Sequence, residues 1–242
     1  MPLASDLLDV RIWRGTEHGG AWATYPVPQR ANQTVLDVVT YVQRELEPTL
    51  SYRFACRVGM CGSCAMAVNG IPRWTCRTHV HDAAGGEALA IAPLPNLPVV
   101  KDLCVDMDAF FEKWQRARGF YRSKRTRQDE FARIPPDDAA RRLVDAGVEC
   151  INCAVCYAAC DVVARRPDYL GPAALNRAWT LINDERDADD TDRLRSVAGD
   201  AGCHACHSQQ GCRERCPKHL NPSAAIAALK RATMWAALRG QL

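Results

Sequence analysis

The sequence predicts an α+β protein with a mixed-sheet N-terminal domain, residues 1–106, and an all-α C-terminal domain, residues 107–242. Strand-like alternation and turn dipeptides occur in the first part, whereas helical periodicity dominates the second. Eleven of the 13 cysteines also fall into three groups, one in the first part and two in the second. At 242 residues the chain is long enough for two domains with separate cores.

The N-terminal elements follow in order. The segment LDVRI alternates apolar and polar residues, and GTEHGG supplies a turn into a second extended run, AWATYPV, so a hairpin is predicted. Thr34 is placed to cap a helix whose apolar residues recur at helical spacing as far as Leu46. The dipeptide Asn69-Gly70 between AMAV and IPRWTC predicts a second hairpin. We expect a small mixed sheet that embraces one helix.

The C-terminal part is predicted to be helical and rich in loops. Apolar residues at helical spacing indicate a helix over 103–114. A proline at 172 is expected to begin a helix that continues to 182. Asn221 followed by Pro222 combines an N-cap with a first-turn proline ahead of SAAIAALKRATMWAAL. Helices between cysteine groups are typical of a double-cluster ferredoxin fold.

Composition excludes several classes of protein. A formal charge of +3 is too close to balance to indicate a nucleic-acid binder. The basic run Arg116–Arg127 contains Phe120 and Tyr121, but we interpret it as a solvated linker or a face that docks a partner. No apolar run approaches the length of a spanning helix, and no secretory signal begins the chain. A reducing compartment is therefore expected, where disulfides are disfavoured.

The first cysteine group has the spacing C-x4-C-x2-C, with a fourth cysteine on the returning strand of the second hairpin. This is the plant-type arrangement for a 2Fe-2S cluster. Gly59 and Gly62 suit a loop whose backbone must wrap closely around a cluster. A structural zinc site is the alternative, but the four-residue gap favours iron. The predicted 2Fe-2S ligands are Cys56, Cys61, Cys64 and Cys76.

The second group, CINCAVCYAAC, matches the run C-x2-C-x2-C-x3-C, in which the fourth cysteine ligates a different cluster from the first three. We therefore predict that two distant loops exchange ligands. The predicted 4Fe-4S ligands are Cys150, Cys153, Cys156 and Cys216. The predicted ligands of the second cluster of this domain are Cys160, Cys206 and Cys212.

The second loop lacks one thiol. Counting back from Cys216, the ferredoxin spacing requires cysteine at position 209, where the chain has Gln209. Because a carboxamide is a poor ligand for iron that thiolates hold well, the sequence predicts a 3Fe-4S cluster. Cys203 could rearrange to supply a fourth ligand. We favour three irons, with Cys203 and Cys104 as small buried residues that do not bind metal.

The motifs RFACRVGMCGSCAMAVNG, CINCAVCYAAC, YLGPAAL and CPKHLNPSAAI together resemble the iron-sulfur subunit of the succinate dehydrogenase and fumarate reductase family, and CINCAVCYAAC and CPKHLNPSAAI are more similar to the fumarate reductase branch. The resemblance covers nearly the whole chain. It implies a β-grasp 2Fe-2S ferredoxin-like domain followed by a double-cluster ferredoxin domain.

The resemblance also implies an activity. Electrons would pass singly between FAD on a partner flavoprotein, which interconverts succinate and fumarate, and a quinone beside the 3Fe-4S cluster. No catalytic residue is expected in this chain, and no nucleic acid is expected as a partner. His207 and Lys230 match positions near the quinone. Membrane-anchor subunits would hold the chain peripherally at the cytoplasmic face of a membrane.

The sequence departs from the family after Cys160, where Asp161 replaces the common proline and Arg165 stands near the place of a tryptophan. These changes leave open a carrier subunit for a related flavoprotein that acts on another dicarboxylate or uses a soluble electron acceptor. A free-standing carrier ferredoxin and a zinc-stabilised module that binds a partner protein or nucleic acid are further hypotheses. The first predicts a stable monomer with all its clusters, and the second predicts zinc.

Overall fold

The computed structural model describes residues 7–85 and 88–242. The chain forms two compact units. The first contains the residues up to 107 together with 151–159, and the second contains 108–150 and 160–242. A short segment inside the second cysteine group, residues 151–159, thus belongs to the first unit although it interrupts the sequence of the second.

The first unit is built on a five-stranded mixed sheet in the order β2-β1-β5-β3-β4. The strands are β1 Leu7–Thr16, β2 Gly19–Pro28, β3 Ala65–Val68, β4 Ile71–Trp74 and β5 Leu89–Ala92, and a separate pair consists of β6 Val99–Lys101 and β7 Cys104–Val105. β1 pairs with β2, and β3 with β4, in antiparallel register. Both predicted hairpins are therefore confirmed. β5 lies parallel to β1 between them, which no local pattern indicated.

Helix α1, Val35–Tyr41, begins where the sequence predicts and packs against this sheet. Thr34 and Asp37 form a reciprocal capping box, which satisfies amides that the first turn leaves without helical partners. The helix continues as a π-helical turn over Val42–Leu46. Val35, Val38 and Val39 are fully buried, so the apolar stripe forms the core of this unit. A short helix α2, Val80–Ala84, follows the second hairpin.

The second unit is helical. Its helices are α3 Asp108–Arg116, α4 Ala139–Val148, α6 Asp161–Arg165, α7 Pro172–Ile182, α8 Asp190–Val197, α9 Gly211–Glu214 and α10 Pro222–Leu238, while α5 Val155–Ala158 belongs to the first unit. The predictions for α7 and α10 are confirmed, and Asn221 Oδ1 accepts a hydrogen bond from the amide of Ala224 at 3.1 Å. In the described parts of the chain, no helix is both long and apolar enough to cross a bilayer.

The predicted start of the first C-terminal helix is wrong. α3 begins at Asp108, and Leu103 lies between β6 and β7, where its amide donates to Ser51 O at 3.1 Å. Leu103 is buried in the core of the sheet. Its helical spacing with later residues is therefore coincidental, because Leu103 and the helix pack into different cores.

The basic run is not a free linker. The amide of Lys124 donates to Arg186 O, and that of Ala188 donates to Arg122 O, both at 2.9 Å. Arg118 forms an ion pair with Asp189. The main chain of the run is therefore held along the acidic segment 184–192 of the same unit, so the prediction of a free linker is wrong. The side chains from 120 to 127 are exposed, as predicted for a solvated run, and a role in docking a partner stays a prediction. The sequence analysis did not predict the pairing of the run with the acidic segment, because the acidic charges lie about 60 to 70 residues further along the chain than the basic ones.

A buried ion pair lies beside this contact. Arg193 Nη1 is 2.7 Å from Asp187 Oδ1, and both side chains have no exposed surface. Arg193 also donates to the carbonyl oxygens of Arg118 and Phe120 at 2.9 and 3.0 Å. One guanidinium group thus binds the basic run to the acidic segment and to α8.

Candidate iron-sulfur sites

The first cysteine group converges in the first unit. Cys64 and Cys76 are buried and pack together with Leu36. Cys56 Sγ accepts the amides of Val58, Met60 and Cys61 at 3.4, 3.2 and 3.4 Å. Amides that point at a sulfur stabilise the negative charge of a thiolate and of a reduced cluster. The loop is thus shaped to hold a cluster through sulfur.

The thiols of this loop differ in acidity. Although burial opposes ionisation of Cys61, hydrogen bonds from the Ser63 hydroxyl and from nearby amides lower its pKa to about 6. Burial, reinforced by the neighbouring Cys64, raises the pKa of Cys76 to about 11. Like charges that lie close together disfavour a second ionisation. A cluster iron would remove this conflict, because it binds both sulfurs as thiolates.

The backbone of the loop also fits a cluster. Gly59 and Gly62 have φ angles of +74° and +71°, in the region that side chains rarely adopt. In the described ranges, no three His, Cys, Asp or Glu side chains are arranged to hold a single metal ion. Thiolates around a cluster are further apart than those around one ion, because iron and sulfide lie between them. The donor set therefore fits a 2Fe-2S cluster.

The second cysteine group has members in both units. Cys153 and Cys156 lie in the segment 151–159, which belongs to the first unit, whereas Cys150 and Cys216 belong to the second. Asn152 and Ala154 have φ angles of 53° and 59°, so the chain turns sharply around Cys153. All four cysteines are partly exposed. Their assignment to one 4Fe-4S cluster stays a prediction.

The third set of cysteines comes together within the second unit. Burial, and then the proximity of Cys160 and Cys206, raise the pKa of Cys212 to about 11. Burial also raises the pKa of Cys160, with Cys206 contributing and the amides of Val163 and Val162 opposing. Cys206 Sγ accepts the amide of Ser208 at 3.4 Å. Three thiols from distant parts of the chain therefore lie within electrostatic reach of one another.

Two residues around this set were missed by the sequence analysis. Tyr169 is 1% exposed, and burial together with the charges of Cys206, Cys160 and Cys212 raises the pKa of its phenol. Lys113 is 6% exposed, and burial lowers the pKa of its ammonium group, which lies near Cys160. Only the motif YLGPAAL, which contains Tyr169, carried a signal, and nothing in the local sequence of Lys113 did.

The residues around the missing thiol are arranged as follows. Gln209 is exposed. Cys203 is fully buried, its Sγ lies 3.7 Å from Thr233 Oγ1, and burial raises its pKa. Cys104 is partly buried in β7. A thiol that is buried against a hydroxyl suits a packing role better than the replacement of a ligand.

The two predicted quinone-side residues differ in their surroundings. Lys230 Nζ donates to the carbonyl oxygen of Cys206 at 2.6 Å, so its charge lies next to a predicted cluster ligand. His207 is exposed on the loop that follows Cys206. Asp161 lies in the first turn of α6 and Arg165 in its last turn, and both are exposed.

A mixed-sheet unit with a plant-type cysteine loop, joined to a helical unit with two further cysteine groups, defines an iron-sulfur protein. A family model described as a 2Fe-2S iron-sulfur cluster binding domain matches residues 9–112, and one described as a 4Fe-4S dicluster domain matches residues 149–221.

Known proteins resemble the chain over most of its length. The fumarate reductase iron-sulfur subunit of Escherichia coli is 36% identical over 205 residues, which cover 84% of this chain and 82% of the relative. A mitochondrial succinate dehydrogenase [ubiquinone] iron-sulfur subunit of Oryza sativa is 37% identical, covering 81% and 70%. A chain of the Mycobacterium smegmatis Sdh1 complex superposes with a TM-score of 0.83 at 26% identity, covering 94% and 95%. The chain belongs to the family of succinate dehydrogenase and fumarate reductase iron-sulfur subunits.

Proposed function

We propose that this chain relays single electrons between the FAD of a partner flavoprotein, which interconverts succinate and fumarate, and a quinone. The observation that supports the proposal most directly is the proximity of Cys160, Cys206 and Cys212, which come from distant parts of the chain. Burial raises the pKa of Cys212 and of Cys160, and the neighbouring Cys206 raises both further. When bound, the 2Fe-2S, 4Fe-4S and 3Fe-4S clusters supply the one-electron chemistry. The chain supplies the ligands, the burial and the nearby charges.

The residues have distinct roles in this proposal. The 2Fe-2S ligands are Cys56, Cys61, Cys64 and Cys76, the 4Fe-4S ligands are Cys150, Cys153, Cys156 and Cys216, and the 3Fe-4S ligands are Cys160, Cys206 and Cys212. The amides at Cys56 and Cys206 stabilise negative charge on sulfur. Tyr169 and Lys113 are both buried, and in this proposal they keep water from the third site, which is the site of the 3Fe-4S ligands.

The setting of the chain is also part of the proposal. A flavoprotein subunit docks with the 2Fe-2S domain, residues 1–106, and membrane-anchor subunits with the helical domain, residues 107–242. The chain then lies peripherally at the cytoplasmic face of a membrane, held by those partners. Relatives whose names describe subunits of fumarate reductase and succinate dehydrogenase support such an assembly.

Metal analysis after anaerobic purification tests the proposal. We expect about nine irons and about ten sulfides per chain, no zinc, and an electron paramagnetic resonance (EPR) signal in the oxidised protein from the 3Fe-4S cluster. A co-purifying flavoprotein that contains FAD is expected as well. Zinc in place of iron would support the interaction module, and a stable monomer with all its clusters would support a free-standing ferredoxin.

Single cysteine variants test the ligand assignment. Cys160→Ser is expected to abolish the oxidised-state EPR signal, because it removes one of only three protein ligands of that cluster. Cys203→Ser and Cys104→Ser are expected to retain it, because both residues are assigned to packing. Low-temperature EPR with an iron assay on each variant measures the outcome. A wild-type protein without the oxidised-state signal, together with a signal gained in Cys203→Ser, would instead make Cys203 the fourth ligand of a four-iron cluster.

Lys230→Gln tests the quinone side. Lys230 Nζ binds Cys206 O, so its charge lies beside the third site. We expect quinone-linked turnover to fall about tenfold, since a cation stabilises a developing quinone oxyanion. The iron content should be unchanged. Arg231→Gln, which alters an exposed charge one position further along α10, is the matched control and should have wild-type turnover.

A second candidate function is favoured by Asp161 and Arg165. These charges on α6, directly after Cys160, differ from the family pattern noted above. They favour a carrier subunit for a related flavoprotein with another dicarboxylate or a soluble acceptor. Turnover of the purified complex with succinate, fumarate and other dicarboxylates, and with quinones against soluble acceptors, separates the two functions.

A further inference from the structure

The loop that carries the first cysteine group touches the loop that carries the second at one point in the first unit. Gly62 lies between Cys61 and Cys64 in the sequence. A Cβ atom added to Gly62 would lie 2.7 Å from Cys153 Cβ and 2.8 Å from Cys153 Cα. It would lie 3.0 Å from Ile151 O. Real side chains do not approach so closely, so the contact exists only because position 62 lacks a side chain.

The second loop is fixed in this position by hydrogen bonds within the same unit. Asn96 Nδ2 donates to the carbonyl oxygens of Tyr157 and Ala158 at 3.3 and 3.1 Å. Val155 and Ala158 are buried. The segment cannot move away from Gly62 without breaking these bonds and exposing apolar surface. An added methyl group must therefore displace one of the two cysteine loops.

We propose that Gly62 is a positioning residue that sets the separation of the 2Fe-2S and 4Fe-4S clusters by admitting the main chain of Cys153 against the first cysteine loop. The inference rests on the proposed function, because it takes Cys61, Cys64 and Cys153 as ligands. Across this contact one electron would pass between the two clusters, so that one cluster is oxidised and the other is reduced. No proton moves and no bond is broken.

The backbone conformation of Gly62 offers a rival explanation. With a φ of +71°, glycine at this position could serve the turn alone. The chain offers a matched control for this possibility. Gly70 has a φ of +75° with nothing within 4 Å of an added Cβ.

The experiment compares Gly62→Ala with Gly70→Ala in the full complex. Each protein is photoreduced with a deazaflavin, and EPR records the magnetic interaction between the two reduced clusters. Iron and sulfide are assayed on the same samples. We expect Gly62→Ala to keep both cluster signals and to show a smaller interaction broadening, because dipolar coupling weakens steeply with distance. Gly70→Ala should keep the wild-type broadening.

Two results would overturn the inference. They are unchanged broadening in Gly62→Ala or an equal decrease in Gly70→Ala. If Gly62→Ala fails to hold clusters, the wild-type complex decides, because the absence of interaction between its two reduced clusters also refutes the inference. A wild-type complex without iron and sulfide would refute the proposed function instead, so the two failures are distinguishable.

Discussion

Gln209→Cys is expected to convert the proposed three-iron cluster of this protein into a four-iron cluster. The substitution restores the thiol that the ferredoxin spacing requires, on an exposed loop between Cys206 and Cys212. The oxidised-state EPR signal should disappear, and the iron content should rise from about nine to about ten per chain. Quinone-linked turnover should fall about tenfold or more, because cluster type sets the reduction potential.

Ser208→Cys is the matched control for this variant. It adds a thiol one residue before position 209, with almost no change in side-chain volume. Ser208 has a φ of 58°, and the ligand position 209 keeps its glutamine. This control should retain the oxidised-state signal and the iron content of the wild type. A persistent signal with unchanged iron in Gln209→Cys would contradict the assignment of position 209 as the missing ligand.

Asp187→Ala is expected to destabilise the helical unit by about 3–5 kcal/mol, because it leaves a buried guanidinium group without its counter-charge. Asp187 Oδ1 accepts from Arg193 Nη1 at 2.7 Å and from the amide of Asp189 at 2.9 Å. Asp187 Oδ2 accepts from the amide of Arg122 at 3.0 Å. The variant therefore also removes one main-chain contact that binds the basic run to the acidic segment, from Arg122, and one within the acidic segment, from Asp189.

Urea unfolding of the full chain, followed by circular dichroism under anaerobic reducing conditions, measures this effect. Asp168→Ala is the control, because its partner Arg166 is 3.3 Å away and both side chains are about half exposed. An exposed pair contributes at most about 1 kcal/mol. Similar losses in both variants would show that the buried pair contributes no more than a surface pair.

The elements that could be predicted are those whose signals are local. The capping box at Thr34, the Asn69-Gly70 turn and the first-turn proline of α10 each act within a few residues, and the structure has all three. β5 could not be predicted in the same way. Its pairing joins Val10 to Leu89, nearly eighty residues apart, and is stabilised by burial between the two hairpins.

The same distinction between local and tertiary signals applies to the cysteine sites. The spacing within each cysteine group is a local property, so the groups and the presence of 2Fe-2S and 4Fe-4S domains were predictable, while the 3Fe-4S cluster stays a prediction. The surroundings of each sulfur were not predictable. Tyr169 and Lys113 reach the third site through tertiary packing, and the contact of Gly62 with Cys153 joins loops that are far apart in the chain. Such contacts leave no periodic pattern in the sequence.

The basic run shows what a local pattern leaves out. Its side chains from 120 to 127 are exposed, as its charges predicted. Its main chain, however, is hydrogen-bonded to the acidic segment, and Arg118 and Arg122 form ion pairs with Asp189. The counter-charges follow only after the whole second cysteine group, so no window of neighbouring residues contains both partners.

The place of residues 151–159 in the first unit has a consequence for biosynthesis. When the first 107 residues have left the ribosome, their unit still lacks the segment that Asn96 binds. That unit can be completed only after about fifty more residues have been translated, while the chain between them is still unfolded. Iron-sulfur assembly factors would therefore meet an unfinished N-terminal half, and a truncated gene product ending near residue 107 would be a poor substitute for it.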